Sequence, residues 1–375
     1  ESMAYFFPFT LSIGITAVLT LLVRRLAIKW RVLDVPGEPR RIHTQPMPLL
    51  GGVAVFLGLI IVLGIVALTT PDLLSGSLKL KHIIGLALGG LVLIIGGALD
   101  DKYNLKPTRQ ILFSIIAVLI IIVSGIGIRQ ITNPFGGTLS LVFWEKTLFW
   151  WQGIGYRLTL PADLFTFVWL LMLIYTTKLF DGLDGLVSGV TAIGAGIIFF
   201  LATTTKYFQP DVGMLSLIVA GAFLGFLFWN WHPAKIFLGT GGSTLAGFLL
   251  GVLAIISGGK IATALLVLGV PALDVGWVIA RRVLLERKLP TLPDRKHLHF
   301  RLLDAGFSHR GAVVFFLIVS AAFGATTLVL QSSQKLVALF FLGLLAVFLL
   351  IISSIAEPVA DTARGQIRRR RIFGV

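Results

Sequence analysis

Eleven runs of apolar residues, each long enough or nearly long enough to cross a bilayer, divide this chain from end to end. They fall at 5–23, 51–69, 83–99, 110–128, 162–180, 187–204, 212–229, 243–257, 261–280, 311–330 and 335–355. A crossing helix takes about 20 mostly apolar residues, fewer where flanking side chains snorkel. Only helices and closed barrels satisfy their backbone in lipid. The runs therefore predict an all-α integral membrane protein, a single transmembrane domain over 1–375 with about eleven helices. Charged residues make up 13% of the chain, against about 25% in a soluble domain. The eighth run is short, and a re-entrant segment fits it as well as a span. No repeat relates the runs, which argues against a transporter built from internal copies.

Threading these spans sorts the loops to two sides. Loops 24–50, 100–109, 178–186, 230–242 and 281–310 and the tail 356–375 share one side and hold 24 of the 32 Lys and Arg. The other side holds the remaining eight. The positive-inside rule then predicts the N-terminus outside and the C-terminus in the cytoplasm. The net charge of +15, in a chain this apolar, suits anionic headgroups and phosphorylated substrates better than nucleic acid. Arg368 to Arg371 read as headgroup contacts of a basic cytoplasmic tail. Segment 129–160 is the one long loop of the outer side. Its Gly136-Gly137 turn, followed by alternating Thr138, Leu139, Ser140, Leu141 and Val142, predicts a small external β-hairpin. The chain has no cysteine, which excludes disulfides, thiolate metal sites and cysteine nucleophiles.

Ionisable residues near lipid are costly and mark function by default. The basic side gathers an unusual set. Asp100 and Asp101 end the third span, Asp181 and Asp184 stand in KLFDGLDGL, and Asn230 opens NWHPAKIFLGTGGS with Ser243 at its end. His297 and His299 stand in PDRKHLHFRLL beside Arg295, and His43 follows DVPGEPRR. All lie at loop or span ends on one face and can converge on one cleft; Asp274, inside the ninth span, stands apart. Each has a plainer reading. Asp100-Asp101 reads also as a helix end held by Lys102. Asp181 and Asp184 read also as an N-cap for the sixth helix. GTGGS reads either as a flexible turn or as a nest of N–H groups that cradles phosphate. Paired acids that hold a divalent cation, a glycine turn and a basic histidine loop together point to chemistry on a nucleotide diphosphate. The cleft opens at the membrane surface, so one substrate is expected to be a lipid.

The run from DVPGEPRRIHTQPMPLLGG to HLHFRLLDAGFSHR resembles, in motif order and spacing, the polyprenyl-phosphate N-acetylhexosamine-1-phosphate transferases, and within them the GlcNAc-1-phosphate branch. The resemblance implies ten or eleven spans, the plasma membrane and a cytoplasmic active face. It implies attack of polyprenyl phosphate on the β-phosphate of a UDP-N-acetylhexosamine, giving polyprenyl-diphospho-sugar and UMP. Catalytic roles fall on Asp100, as the base for the lipid phosphate, on Asp101 near the metal, and on His297. Nucleotide and substrate contacts fall on Asp181, Asp184, Asn230, His299, Arg295, Ser243 and His43. The cofactor implied is Mg²⁺ at Asp100 and Asp101; a homodimer is left open.

Four positions depart from the family pattern. Thr240 replaces an aspartate that is a Mg²⁺ ligand, Lys178 an asparagine, Gln110 a lysine and Phe300 a histidine. One ligand is lost and one cation gained, so the ammonium of Lys178 is expected where the metal would sit, held by Asp100 or Asp101. Three functions follow: a transferase less dependent on Mg²⁺, a pseudoenzyme that keeps the lipid-phosphate or nucleotide cleft, and a lipid carrier or flippase.

Overall fold

A computed structural model describes residues 2–36, 43, 45–74, 76–133, 137–151, 154–204, 208–258, 261–287, 297–330 and 334–349. Arg295 and the tail 356–375 lie outside the described residues. The helices are α1 (Ser2–Lys29), α2 (Gly51–Thr69), α3 (Leu80–Tyr103), α4 (Pro107–Val123), α5 (Leu160–Phe180) and α6 (Leu186–Thr203). They continue with α7 (Pro210–Asn230), α8 (Gly239–Ile256), α9 (Ile261–Ala280), the short α10 (Leu298–Asp304) and α11 (His309–Val329). The last is α12 (Gln334–Leu349). Each of the eleven expected spans falls on one of these helices, and α10 is the addition. Among the described residues nine helices are long and apolar enough to cross a membrane, while α4 and α12 are shorter apolar helices.

Proline marks several starts, at the first turn of α4, α5 and α7, where its missing N–H costs nothing. Asn104, in the left-handed region at φ 49°, ends α3 and turns the chain directly into α4.

The segment expected to be short or re-entrant is instead the centre of the bundle. α8 runs 18 residues, nearly all buried, and packs against α2, α3, α5 and α9. Its small residues explain this. A Cβ added at Gly97 of α3 would meet the backbone of Gly241, and one at Gly52 of α2 would meet that of Gly242. Without Cβ atoms the three helices approach at backbone contact, the usual basis of close helix packing in lipid. Thr177 of α5 adds a bond from its hydroxyl to the Ser243 carbonyl at 2.7 Å.

The long loop after α4 holds two hairpins. β3 (Gln130–Thr132) pairs with β4 (Thr138–Ser140), the hairpin expected from Gly136-Gly137. β5 (Lys146–Trp151) pairs with β6 (Ile154–Leu158), which the sequence reading missed. β1 (Leu33–Asp34) pairs with β2 (Met47–Pro48) at the other end of the bundle. That end gathers the last turns of α3, α5 and α7 and the first turns of α8 and α11.

Candidate active site

A cavity of about 860 Å³ opens where these helix ends meet, within the range of ligand pockets. Asp100, Asp101, Asp181, Asp184, Asn230 and Ser243 line it, as do His43 and His297. So do all four departing positions, Gln110, Lys178, Thr240 and Phe300. His299 does not.

Asp100 and Asp101 lie in the last turn of α3 and hold three elements together. Asp100 Oδ1 accepts from the Leu105 backbone N–H at 2.9 Å and from Gln110 Nε2 at 2.7 Å. Its Oδ2 accepts from the Thr240 hydroxyl at 2.8 Å. Asp101 Oδ1 accepts from the Thr240 backbone N–H at 2.9 Å. Lys102, the partner of the plainer reading, lines the same cavity without an ion pair to either acid, its ammonium 5.4 Å from the centre of the Tyr103 ring.

Two expectations change here. The glycines of GTGGS are neither a flexible turn nor an open nest: they start α8 and serve its packing, and Asp101 takes the amide of Thr240. The ammonium of Lys178 does not bond either acid directly. It donates to Gln110 Oε1, and the other end of that carboxamide reaches Asp100. Mg²⁺ at Asp100 does not fit these donors. Three of the roughly four acceptor positions of the Asp100 carboxylate are filled, one of them by the Thr240 hydroxyl, and the Lys178 ammonium donates to the Gln110 oxygen.

Asp181 follows α5 directly and Asp184 lies three residues on. Neither caps α6, whose N-cap is Gly185 at φ 80° with no side-chain cap. The Asp181 carboxylate accepts no hydrogen bond among the described residues. Burial pushes its carboxyl up to about 8, helped by the charges of Asp101 and Asp184. Asp184 Oδ2 meets His232 Nδ1 at 2.7 Å and the Ala234 N–H at 3.2 Å. His309 lies beside them: its ring stacks on that of His232 at 3.9 Å, and its Nε2 accepts from the Asp184 N–H at 2.9 Å. Ligand atoms of Asp184, His232 and His309 lie within 4.8 Å of one another, a set whose imidazoles suit a transition metal more than Mg²⁺. Neither histidine was singled out from sequence, although NWHPAK and GFSHR display them beside the motifs used.

Asn230 is a staple. Its Oδ1 accepts from the Gly185 N–H at 3.0 Å and the Ser188 hydroxyl at 3.1 Å, and its Nδ2 donates to the Ile236 carbonyl at 3.1 Å. Ser243 donates into its own helix, to the Gly239 carbonyl at 3.1 Å. His43 Nε2 lies 3.3 Å from the Asp34 carbonyl.

Asp274, which the sequence set apart, belongs to the site. Buried in α9, it meets His297 Nδ1 at 2.9 Å and takes the Leu298 N–H at 2.9 Å. The contact leaves His297 Nε2 as the ring atom open to a ligand. His299 is fully buried, edge-on to Phe180 and beneath Gly182, with neither ring nitrogen bonded. Burial, with His297 alongside, holds its imidazole neutral.

Comparison with known proteins gives a consistent set of relatives. A family model described as glycosyl transferase family 4 matches residues 83–258. The chain is 31% identical over 359 residues to a probable undecaprenyl-phosphate N-acetylglucosaminyl 1-phosphate transferase of Bacillus subtilis, covering 94% of this chain and 92% of that protein. It is 31% identical over 345 residues to a decaprenyl-phosphate N-acetylglucosaminephosphotransferase of Mycolicibacterium smegmatis, covering 84% and 81%. It is 29% identical over 320 residues to an undecaprenyl-phosphate alpha-N-acetylglucosaminyl 1-phosphate transferase of Salmonella typhi, covering 82% and 78%.

Proposed function

We propose, from the premise that this chain belongs to the polyprenyl-phosphate N-acetylglucosamine-1-phosphate transferase family, that its cavity moves GlcNAc-1-phosphate from UDP-GlcNAc to polyprenyl phosphate. The chain is a multi-pass membrane enzyme that acts on a lipid phosphate. The finer reading concerns donor, product and roles. An oxygen of the lipid phosphate attacks the β-phosphorus of the donor; that P–O bond forms, the bond to the UMP oxygen breaks, and UMP leaves with the electron pair. The products are polyprenyl-diphospho-GlcNAc and UMP.

The observation that carries this is one cavity at the helix ends holding Asp101, Asp181, Asp184, His297 and Lys178 together. A water-soluble nucleotide and a membrane-bound phosphate can both reach such a place. Asp181 and Asp184 are assigned to the nucleotide. His297, oriented by Asp274, and Asp101, which keeps Oδ2, are the groups assigned to hold or accept a proton at a phosphate oxygen. Asp100 and Asn230 hold the frame. The family generally uses a metal, and the donors at Asp100 do not supply a Mg²⁺ site, so no step is routed through one. The active face is assigned to the cytoplasm on the basic bias of its loops, and the basic tail to anionic lipid.

Radiolabelled UDP-GlcNAc supplied with undecaprenyl phosphate to the purified protein should yield solvent-extractable, lipid-linked label and free UMP. The absence of both, from a protein that elutes as a single folded species, would refute the reading. Asp184→Ala should abolish the product.

A further inference from the structure

The three departures Gln110, Lys178 and Thr240 are far apart in sequence, on α4, α5 and α8, yet all belong to one hydrogen-bonded cluster around Asp100. We propose that Lys178, tied through Gln110 to Asp100, is the cationic contact for a substrate phosphate and stands in for a divalent cation at that carboxylate. The inference rests on the proposed transfer reaction and deepens it.

The bonds have a direction. The Thr240 hydroxyl donates to one oxygen of Asp100. The Gln110 amide donates to the other and also to the Leu105 carbonyl at 2.8 Å. Both protons of that amide are thereby used, which orients the carboxamide with its oxygen toward α5, where the Lys178 ammonium meets it. Both oxygens of Asp100 and the oxygen of the Gln110 carboxamide each face a proton. A hard cation needs oxygens with open lone pairs and near-octahedral spacing, and no such set is available at Asp100 without dismantling the cluster.

Lys178 is equipped for the substitute role. An ammonium carries three N–H donors and no acceptor. Gln110 takes one, so two are left on a side chain that lines the cavity. The Tyr175 ring, 5.8 Å away, gives the charge a further neighbour. The ligand chemistry is a phosphate oxygen, which both the nucleotide and the lipid substrate carry.

Manganese is a suitable probe of the excluded cation. Electron paramagnetic resonance titration of the full-length protein in detergent counts bound Mn²⁺. The double variant Lys178→Asn/Thr240→Asp should bind one equivalent more than the wild type, and Asp100→Asn added to it should remove that equivalent. Any ion on Asp184, His232 and His309 is common to all three proteins and cancels. An equal count in wild type and double variant overturns the proposal, as does wild-type Mn²⁺ that Asp100→Asn removes. This readout needs no turnover, so it separates failure of the inference from failure of the transfer reaction.

A second measurement covers a double variant that does not fold. Calorimetric titrations in EDTA, one with UMP and one with undecaprenyl phosphate, are compared for wild type and Lys178→Met. At least one affinity should fall tenfold or more, and which one falls identifies the phosphate that Lys178 holds. Two unchanged affinities overturn the proposal.

Discussion

The carboxylate of Asp274 and the imidazole of His297 meet at 2.9 Å inside the protein, with Asp274 1% and His297 5% exposed. A buried carboxylate beside Nδ1 fixes the ring orientation and favours the tautomer that carries its proton on that nitrogen. Asp274→Asn keeps the size but offers the ring the wrong donor or acceptor. It should lower the transfer rate by roughly 100-fold, the scale of one general acid–base group. His297→Ala should do the same, and the pair together should cost little more than either alone, because the two act as a unit. An additive double loss would show that Asp274 acts elsewhere.

This pair also shows how far the sequence could be read. The eleven apolar runs gave the helices because lipid admits little else. The loop ends gave the acids because charge is confined there. Asp274 lies in the middle of a run, and nothing in one sequence tells that α9 brings it against His297 and Leu298. His299 went the other way. Two histidines in HLHF look alike on paper, but a helical turn sends one to the cavity and the other beneath Gly182. The cluster at Asp100 was half legible: the odd residues stood out, but their joining through Gln110 needed the crossing of three helices. The role of GTGGS was misread because glycines that free N–H groups and glycines that admit a neighbouring backbone have the same letters.

The backbone contact between Gly97 and Gly241 makes a steric prediction. Gly97→Ala would place a methyl against the backbone of α8. Overpacking a tight core costs about 1–3 kcal/mol, and a clash with backbone lies at the upper end. The melting temperature in detergent should drop by several degrees and transfer should fall with it. Gly64→Ala is the control, since nothing lies within 4 Å of its added Cβ. Equal melting for the two variants would show that α3 and α8 do not pack at this contact.

Asn230 should behave as a staple and not as a ligand contact. Asn230→Ala strips a partner from the Gly185 N–H, the Ser188 hydroxyl and the Ile236 carbonyl. An unpaired buried polar group costs about 1–3 kcal/mol. Thermal stability should fall in the absence of any substrate. A variant with unchanged melting and weakened UMP binding would instead make Asn230 a direct contact.

Asp181 gives a pH dependence with a definite sign. Its carboxyl moves from 3.8 to about 8 on folding, so the folded chain binds that proton more tightly than the unfolded one. Stability from this group is full below about pH 4 and is lost as pH rises toward 8. The wild type should therefore melt progressively lower between about pH 4 and 8. Asp181→Asn, uncharged throughout, should show a flatter profile and be the more stable protein above pH 8. If the wild type is the more stable at pH 9, a cation or donor must be neutralising Asp181 in the folded chain.

The orientation proposed for the bundle rests on charge alone and can be tested on a clean background, since the chain has no cysteine. Basic residues near span ends are held on the cytoplasmic side during insertion, and 24 of the 32 Lys and Arg belong to the loops and tail of one side. Ser140 lies in the β3–β4 hairpin at one end of the bundle, and Lys106 lies between α3 and α4 at the other; both are exposed. A membrane-impermeant maleimide should label Ser140→Cys in intact cells and Lys106→Cys only after permeabilisation. The reverse pattern would put the Asp100 end of the cavity outside the cell, where no cytoplasmic nucleotide sugar could reach it. The test thus bears on the reaction as well as the topology, because a cytoplasmic donor and a cavity at the Lys106 end stand or fall together.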